Sequence, residues 1–460
     1  RIFDKVHHSY QSTLRELLST WQVIIVMGVI LLGGVAYLYA TARAELAPTE
    51  DQGIVLMQAS GPPNSTVNQM QTYADQIYQI SSAEPEYEQM FQITSPTSSF
   101  GGVLLKDWGE RSRNATKFQE DMQQKWNTIA GARVAAFQFP ALPGAQGLPV
   151  QVVINTTESY DQLNEVSLAV LDKARRSGNF FFVDSDLKID KPQDVLVIDR
   201  EKVAALGMTQ QQVGAALSAA LGGGFVNYFS VSGRSYKVIP QVKQVDRLNP
   251  DQILDYYIRT PSGAMIQART IASIKQKVVP QSINHFQQLN SATISGVSTP
   301  FISQADLLEF MRQTLKEVAP NGYSMDYAGP SRQFMAESGG FLVTMFFAIL
   351  IVFLVLAAQF NSFRDPIVIL VSVPLALFGA LIFINLGFTT LNVYTQVGLV
   401  TLMGLISKHG ILIVEFANEL QEAGRSKLDA IIEASSVRLR PILMTTAAMV
   451  LGVLPLVIAS

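Results

Sequence analysis

No cysteine occurs in the 460 residues, which excludes disulfides and thiolate metal sites without deciding the compartment. No nucleophile triad, metal-ligand cluster or pair of catalytic carboxylates is signalled either, so an enzymatic role is not expected. A net charge of −3 gives no basic excess for a nucleic-acid surface. Gly222, Gly223 and Gly224 are followed by no Gly-Lys-Ser/Thr and no dinucleotide spacing, so they do not read as a phosphate loop. Residues 2–20 lack the long apolar core of a secretory signal and carry Asp4, Lys5, His7, His8, Arg15 and Glu16 instead. With no initial Met, and with Ser460 inside an apolar run, the chain is expected to be part of something longer.

What the chain does have is apolar length. Hydrophobic residues make up 48% and charged residues 15%, the balance of a membrane protein with a large wet portion. Residues 22–42, 341–358, 366–386 and 392–420, and a run opening at Pro441, pass the length test for spanning helices. Pro374 and Pro455 fall inside such runs, where neighbouring helices satisfy the freed carbonyls. Arg364 lies between the second and third runs, and Arg425, Lys427, Arg438 and Arg440 between the fourth and fifth. Residues 385–396 carry no Lys or Arg, so the basic loops are expected in the cytoplasm and residues 45–336 outside. Phe3, Val6, Tyr10, Leu14, Leu17 and Leu18 recur at helical spacing, which suggests an amphipathic helix on the cytoplasmic membrane face or a soluble connector.

Lys408 interrupts the fourth run. It falls roughly 24 Å from one end of a helix over 392–420 and roughly 18 Å from the other, near the middle of a hydrocarbon layer about 30 Å thick. A charge there either faces a polar groove for structural reasons or belongs to an ion or proton relay.

The external region repeats. From residue 54 to 139 the pattern reads strand, helix, strand, strand, helix, strand, and a second such unit opens at Pro149, breaks off near Leu206 and resumes at Ser291. The order β-α-β-β-α-β is a ferredoxin-like unit, so the fold class is a membrane helical bundle plus a large α+β region of such subdomains with an inserted third. The insert places Phe225, Tyr228 and Phe229 beside a Gly233 turn, a hairpin expected to dock on a neighbouring subunit.

Local motifs then match a family. PTEDQG at 48–53, LKDW at 105–108, LAAQFNSFRDP at 356–366, GLISKHGILIVEFA at 404–417 and RLRPILMTT at 438–446 resemble the resistance-nodulation-division transporters, in their AcrB- and MexB-like hydrophobe/amphiphile branch. The resemblance implies a trimeric inner-membrane antiporter, homomeric or heteromeric, that exports amphiphilic small molecules to a periplasmic adaptor and an outer-membrane channel. It implies no cofactor, the proton gradient being the energy source. The chain would be the second half of such a pump and would need the other half as partner. On this resemblance the divisions are a cytoplasmic amphipathic helix at 1–20, the seventh membrane helix at 21–44 and a first porter subdomain at 45–157. A second porter subdomain follows at 158–206 and 288–336, with a docking subdomain at 207–287 and helices eight to eleven at 337–460.

Lys408, Arg438 and Thr445 fall on the family's relay positions, where the lysine pairs with aspartates and releases one on protonation. No aspartate lies in the spans here, and Glu415 is a weak substitute, so the acceptor is expected from the other half. His409 replaces a more usual asparagine and is expected to be packed and hydrogen-bonded rather than a second proton carrier. Ile54, Leu56 and Phe91 match positions lining the deep drug pocket, and Gly102 stands where better-known members carry an aromatic, with Phe100 expected to compensate. Two alternatives remain open: a metal exporter using Met57, Met70, Met90 and Met122, and a non-transporting assembly subunit.

Overall fold

The computed structural model describes residues 2–140, 142–143, 147–299 and 302–458. Two helices come first, α1 (Ile2–Ser19) and α2 (Trp21–Thr41). α2 buries none of its residues within the chain although it is apolar all round, which suits a helix solvated by lipid.

The first external unit is β1 (Ile54–Ser60), α3 (Val67–Ser82), β2 (Tyr87–Thr94), β3 (Ser98–Leu105), α4 (Ala115–Trp126) and β4 (Arg133–Phe137). Its sheet runs β2-β3-β1-β4 with every neighbouring pair antiparallel. Side-chain oxygens of Thr66 and Asn114 cap α3 and α4. Strand alternation sends Val55, Met57 and Ala59 into a core with Ile77, Phe118, Met122 and Trp126 from the two helices. Ile54 and Leu56 therefore lie on the other face.

The second unit repeats that order. It comprises β5 (Val150–Thr156), α5 (Tyr160–Arg176) and β6 (Phe180–Ser185), followed by the insert's elements β7 (Ile189–Ile198), α6 (Arg200–Ala205), α7 (Gln210–Leu221), β8 (Asn227–Val231), β9 (Arg234–Val238), β10 (Tyr257–Arg259), β11 (Met265–Gln267) and β12 (Ala272–Pro280). The chain then returns with β13 (Asn284–Phe286), β14 (Leu289–Ser298), α8 (Gln304–Val318) and β15 (Tyr323–Tyr327). β6 and β13 both pair with β14, which pairs with β5, which pairs with β15. This moves one expected boundary: residues 150–156, placed with the first subdomain by the division at 157/158, hydrogen-bond into the second sheet instead.

β7 and β12 pair as a long antiparallel ribbon that carries the insert. Val203 and Met208 share a small core there with Val213, Leu217, Ile258 and Ile271, so a division at 206/207 cuts through packed side chains. Beyond it, β8 and β9 form a hairpin turned by Ser232 and Gly233 at φ 49° and 76°, the two positive values a tight two-residue turn requires. Its residues are all exposed.

The last part is helical: α9 (Gly329–Ser338), α10 (Phe341–Phe360), α11 (Arg364–Leu370), α12 (Val373–Asn385), α13 (Val393–Glu422) and α14 (Lys427–Ile458). Among the described residues, five helical stretches are long and apolar enough to cross a membrane: Trp21–Thr41, Gly329–Phe360, Arg364–Asn385, Val393–Glu422 and Lys427–Pro455. The third is broken at 371–372, next to Pro374, which lacks the amide its helix would use. The fifth differs from the sequence expectation. Arg438 and Arg440, expected in a loop before Pro441, lie inside α14, which runs on through Pro441 and Pro455. Ser426 accepts from the Asp429 amide at its start. Ala430, Ile432, Ala434, Ser435 and Ser436 are buried along its first turns, so packing holds a helix that composition alone would end. At 1.5 Å per residue α14 is roughly 48 Å long, more than a hydrocarbon layer needs.

One joint links the two parts. The Leu391 amide donates to the Arg43 carbonyl at 2.7 Å, Glu45 donates to Leu391 at 3.2 Å and Val393 donates to Leu46 at 3.2 Å. The segment leaving α2 is thereby laid as a parallel bridge against the segment entering α13. Buried Asn392 closes the joint: its side chain accepts from the Thr395 amide at 3.0 Å, capping α13, and donates to Thr390 Oγ1 at 2.9 Å.

Candidate functional site

Two places carry the residues singled out from the sequence. The first is the open face of the first sheet. Directly paired residues in an antiparallel sheet share a face, and the register lines up Phe91, Gly102, Leu56 and Phe137 in one row across all four strands. The next row on that face is Ile93, Phe100, Gln58 and Ala135. Ile54, Leu56, Phe91 and Phe100 thus stand together on the side away from the helices. Phe91 and Phe100 meet nearly edge to face with ring centroids 6.2 Å apart, and each is about two-fifths exposed, at 39% and 40%.

Gly102 is explained by this packing. A Cβ there would lie 2.9 Å from Phe91 Cε1, 3.1 Å from Leu56 Cδ2 and 3.2 Å from Ile54 Cδ1. The missing side chain makes room for the Phe91 ring, so the neighbour across the ladder, and not Phe100 alone, occupies the place of an aromatic at 102. A cavity of about 490 Å³ opens beside this face, lined by Leu56, Phe100, Phe137, Phe139 and Gln58. Phe137 and Phe139 were missed in the sequence. The signal was there: alternation in AAFQFP puts them two apart, but only the pairing of Leu56 with Phe137 says which face they share. A second cavity, of about 260 Å³, lies nearer the joint and combines Leu46, Phe139 and Phe181 with the carboxylates Glu45 and Glu120.

The methionines do not make a metal site. Met57, Met70 and Met122 are fully buried and Met90 packs against the same core, where thioethers fill space between helices and sheet. No group of His, Asp and Glu with metal-ligand proximity occurs among the described residues.

The second place is the packed pair α13 and α14. His409 Nε2 and Thr446 Oγ1 lie 3.4 Å apart, and the Arg438 guanidinium stands over the Phe416 ring at 5.0 Å. Going down one helix is going up the other, so these contacts fix an antiparallel register in which Lys408 and Thr445 are within about one turn of each other along the axis. The hydrogen bond itself joins their neighbours. Thr445 spends its hydroxyl on the Pro441 and Ile442 carbonyls of its own helix. Lys408 is exposed on the outer face of α13 and forms no ion pair or hydrogen bond among the described residues. Arg438 keeps a buried Nε without a partner, and Glu415 is exposed. Gly410, two residues from the lysine, lets α11 approach: a Cβ there would lie 2.9 Å from Ile369. His409 is half-buried and hydrogen-bonded, in line with its expected packed role.

The AcrB/AcrD/AcrF family model matches residues 1–460. The chain belongs to this family. The match bears out the resemblance to resistance-nodulation-division transporters read from the motifs. An uncharacterized transporter of Haemophilus influenzae is 38% identical over 99% of this chain and 45% of its own length. The multidrug/solvent efflux pump membrane transporter MepB of Pseudomonas putida is 32% identical over 100% of this chain, and the multidrug resistance protein MdtF of Escherichia coli is 29% identical over 100%. The chain spans about half the length of these relatives, 45% and 46% for the last two.

Proposed function

We propose that the chain takes part in proton-driven export of amphiphilic compounds, as one half of an inner-membrane pump whose residues 45–336 stand in the periplasm. The observation that carries the reading is the apolar row of Phe91, Leu56 and Phe137, of which Leu56 and Phe137 line a cavity with Phe100 and Phe139, in a chain whose membrane helices carry a lysine unpaired among the described residues. Apolar and aromatic surface binds varied amphiphiles by area and stacking, without fixed hydrogen bonds. Glu45 and Glu120 at the second cavity favour cationic members of that class.

In this reading the sheets β2-β3-β1-β4 and β6-β14-β5-β15, the second with β13 added beside β14, belong to ferredoxin-like porter subdomains, and the ribbon-borne insert is a docking subdomain. The exposed hairpin aromatics Tyr228, Phe229 and Tyr236 serve contacts within a trimer or with an adaptor and outer-membrane channel. Lys408 faces carboxylates supplied by the preceding half, and proton uptake by them releases the ammonium and shifts α13 against α14. In the full-length protein, Lys408→Ala is expected to abolish dye efflux from energised cells while trimers still form on native gels. Efflux at the unmutated rate sinks the proton-coupled mechanism.

A further inference from the structure

The two external units meet along β4. In the middle of that seam Leu56, Ala135 and Phe137 of the first sheet pack with Leu148 and Val297, and with Phe182 at the margin. At the far end of β4, opposite Ser60, stands Arg133. Its side chain crosses to the other unit. Nη1 donates to Asp184 Oδ1 at 2.6 Å, Nη2 donates to the Val183 carbonyl at 2.9 Å, and the guanidinium covers the Phe182 ring at 5.5 Å. Three consecutive residues of β6 therefore hold one side chain of the opposing sheet. Two adjoining cavities of about 310 and 370 Å³ are both lined by Asp184, Ser185 and Lys188, and Arg133 lines the second.

Asp184 does not depend on Arg133 for its charge balance. Lys188 Nζ lies 2.6 Å from its other oxygen and Arg175 Nη2 lies 3.3 Å from the shared one. Breaking a partly buried ion pair is costly chiefly when it strands a charge, and here none is stranded. Arg133 is itself 45% exposed and can rehydrate. It also sits against a like charge: burial lowers the Arg175 pKa, and the charge of Arg133 adds to the effect. Withdrawal thus loses one ion pair, one hydrogen bond to a carbonyl that water can replace and the cover over Phe182, and relieves one repulsion.

We infer that Arg133 is a releasable strap that holds the cleft between the two external units shut and positions their sheets between loads. The inference rests on the export reading above and adds to it that the two units part to admit a compound. The apolar seam supplies area without direction, and the strap fixes where β4 stops against β6.

The test is a distance measurement on the full-length protein in lipid nanodiscs, with spin labels at Gln79→Cys on α3 and Glu165→Cys on α5. Both positions are exposed, and the chain contributes no other cysteine. A half-exposed pair worth up to ~1 kcal/mol corresponds to about a fivefold change in the ratio of long to short distances. Arg133→Ala is expected to raise that ratio about fivefold. Arg133→Lys, which cannot fork to a carboxylate and a carbonyl together, falls between. Raising salt from ~0.05 to ~1 M moves the unmutated protein the same way and leaves Arg133→Ala unmoved. Identical distributions in the three proteins, or a salt response that survives Arg133→Ala, overturn the strap. The distances are read without transport, so a failure of the export reading leaves this test intact, and intact export with no strap leaves that reading standing.

Discussion

Gly102 offers the sharpest perturbation of the aromatic face. Replacing it by alanine brings a methyl to 2.9 Å from Phe91 Cε1, with Leu56 and Ile54 at 3.1 and 3.2 Å on the flanks. Leu56 is 2% exposed and has nowhere to go, whereas Phe91 is 39% exposed and can swing outward. Overpacking costs about 1–3 kcal/mol, and a strand glycine replaced by alanine returns roughly 0.5–1 kcal/mol of backbone entropy. Stability should therefore fall by no more than about 2.5 kcal/mol. The larger effect is on the surface. As Phe91 turns, its edge-to-face contact with Phe100 is lost, a geometry worth about 0.5–1.5 kcal/mol. Affinity for a flat aromatic amphiphile should change about two- to tenfold, read by fluorescence polarisation of a planar dye bound to the purified full-length protein. Gly101→Ala, whose Cβ would collide with the Phe91 backbone carbonyl from the helix side, should lower the melting temperature more than Gly102→Ala does, because backbone cannot swing aside as the Phe91 ring can. Unchanged dye affinity in folded Gly102→Ala, together with a loss in Phe91→Ala, refutes the packing argument.

Two further outcomes follow from groups away from that face. Arg113 binds Glu86, Glu84 and Asp121, and its hydrogen bond, set against burial and aided by Ser112, holds the Glu86 carboxyl down from 4.5 to about 2. A depressed carboxylate contributes stability that is complete above pH 4.5 and lost as pH falls toward 2, on the order of 1–3 kcal/mol for a charged hydrogen bond. Melting temperatures from pH 6 to about 2.5 should therefore fall more steeply in the unmutated protein than in Glu86→Gln, and parallel curves count against the linkage. Asn392→Ala removes the α13 cap and its bonds to Thr390, and should cost about 1–2 kcal/mol. Hydrogen exchange should rise at the amides of Leu391 and Val393, and protection equal to that of the unmutated protein would show the joint to be held by other contacts.

The succession of strands and helices along both units was legible because alternation and helical period are local signals. What escaped depended on partners distant in sequence. The strand at 150–156 reads from its pattern as the opening of the second unit, whereas the division at 157/158 leaves it in the first, and its pairing with β14 and β15 shows that division to be misplaced. The beginning of α14 looked like a basic loop because Pro441, Lys427, Arg438 and Arg440 lie there, yet its small residues are buried against neighbouring helices. In the candidate sites, residue types were readable and adjacency was not. Nothing local says that Gly102 lies under Phe91, or that Arg133 leaves its own sheet for Asp184.

The backbone joint at 43–46 and 391–393 turns α13 into a pointer. Its cap is tied by main-chain hydrogen bonds to the strand that feeds the external units. Lys408 rides the same unbroken helix, roughly 24 Å further along. A tilt of about 5° at the cap would sweep that ammonium by roughly 2 Å, as much as separates a made hydrogen bond from a broken one. A rearrangement of the strand-rich units can thus be registered at Lys408 with no moving part between them except the direction in which one rod is aimed.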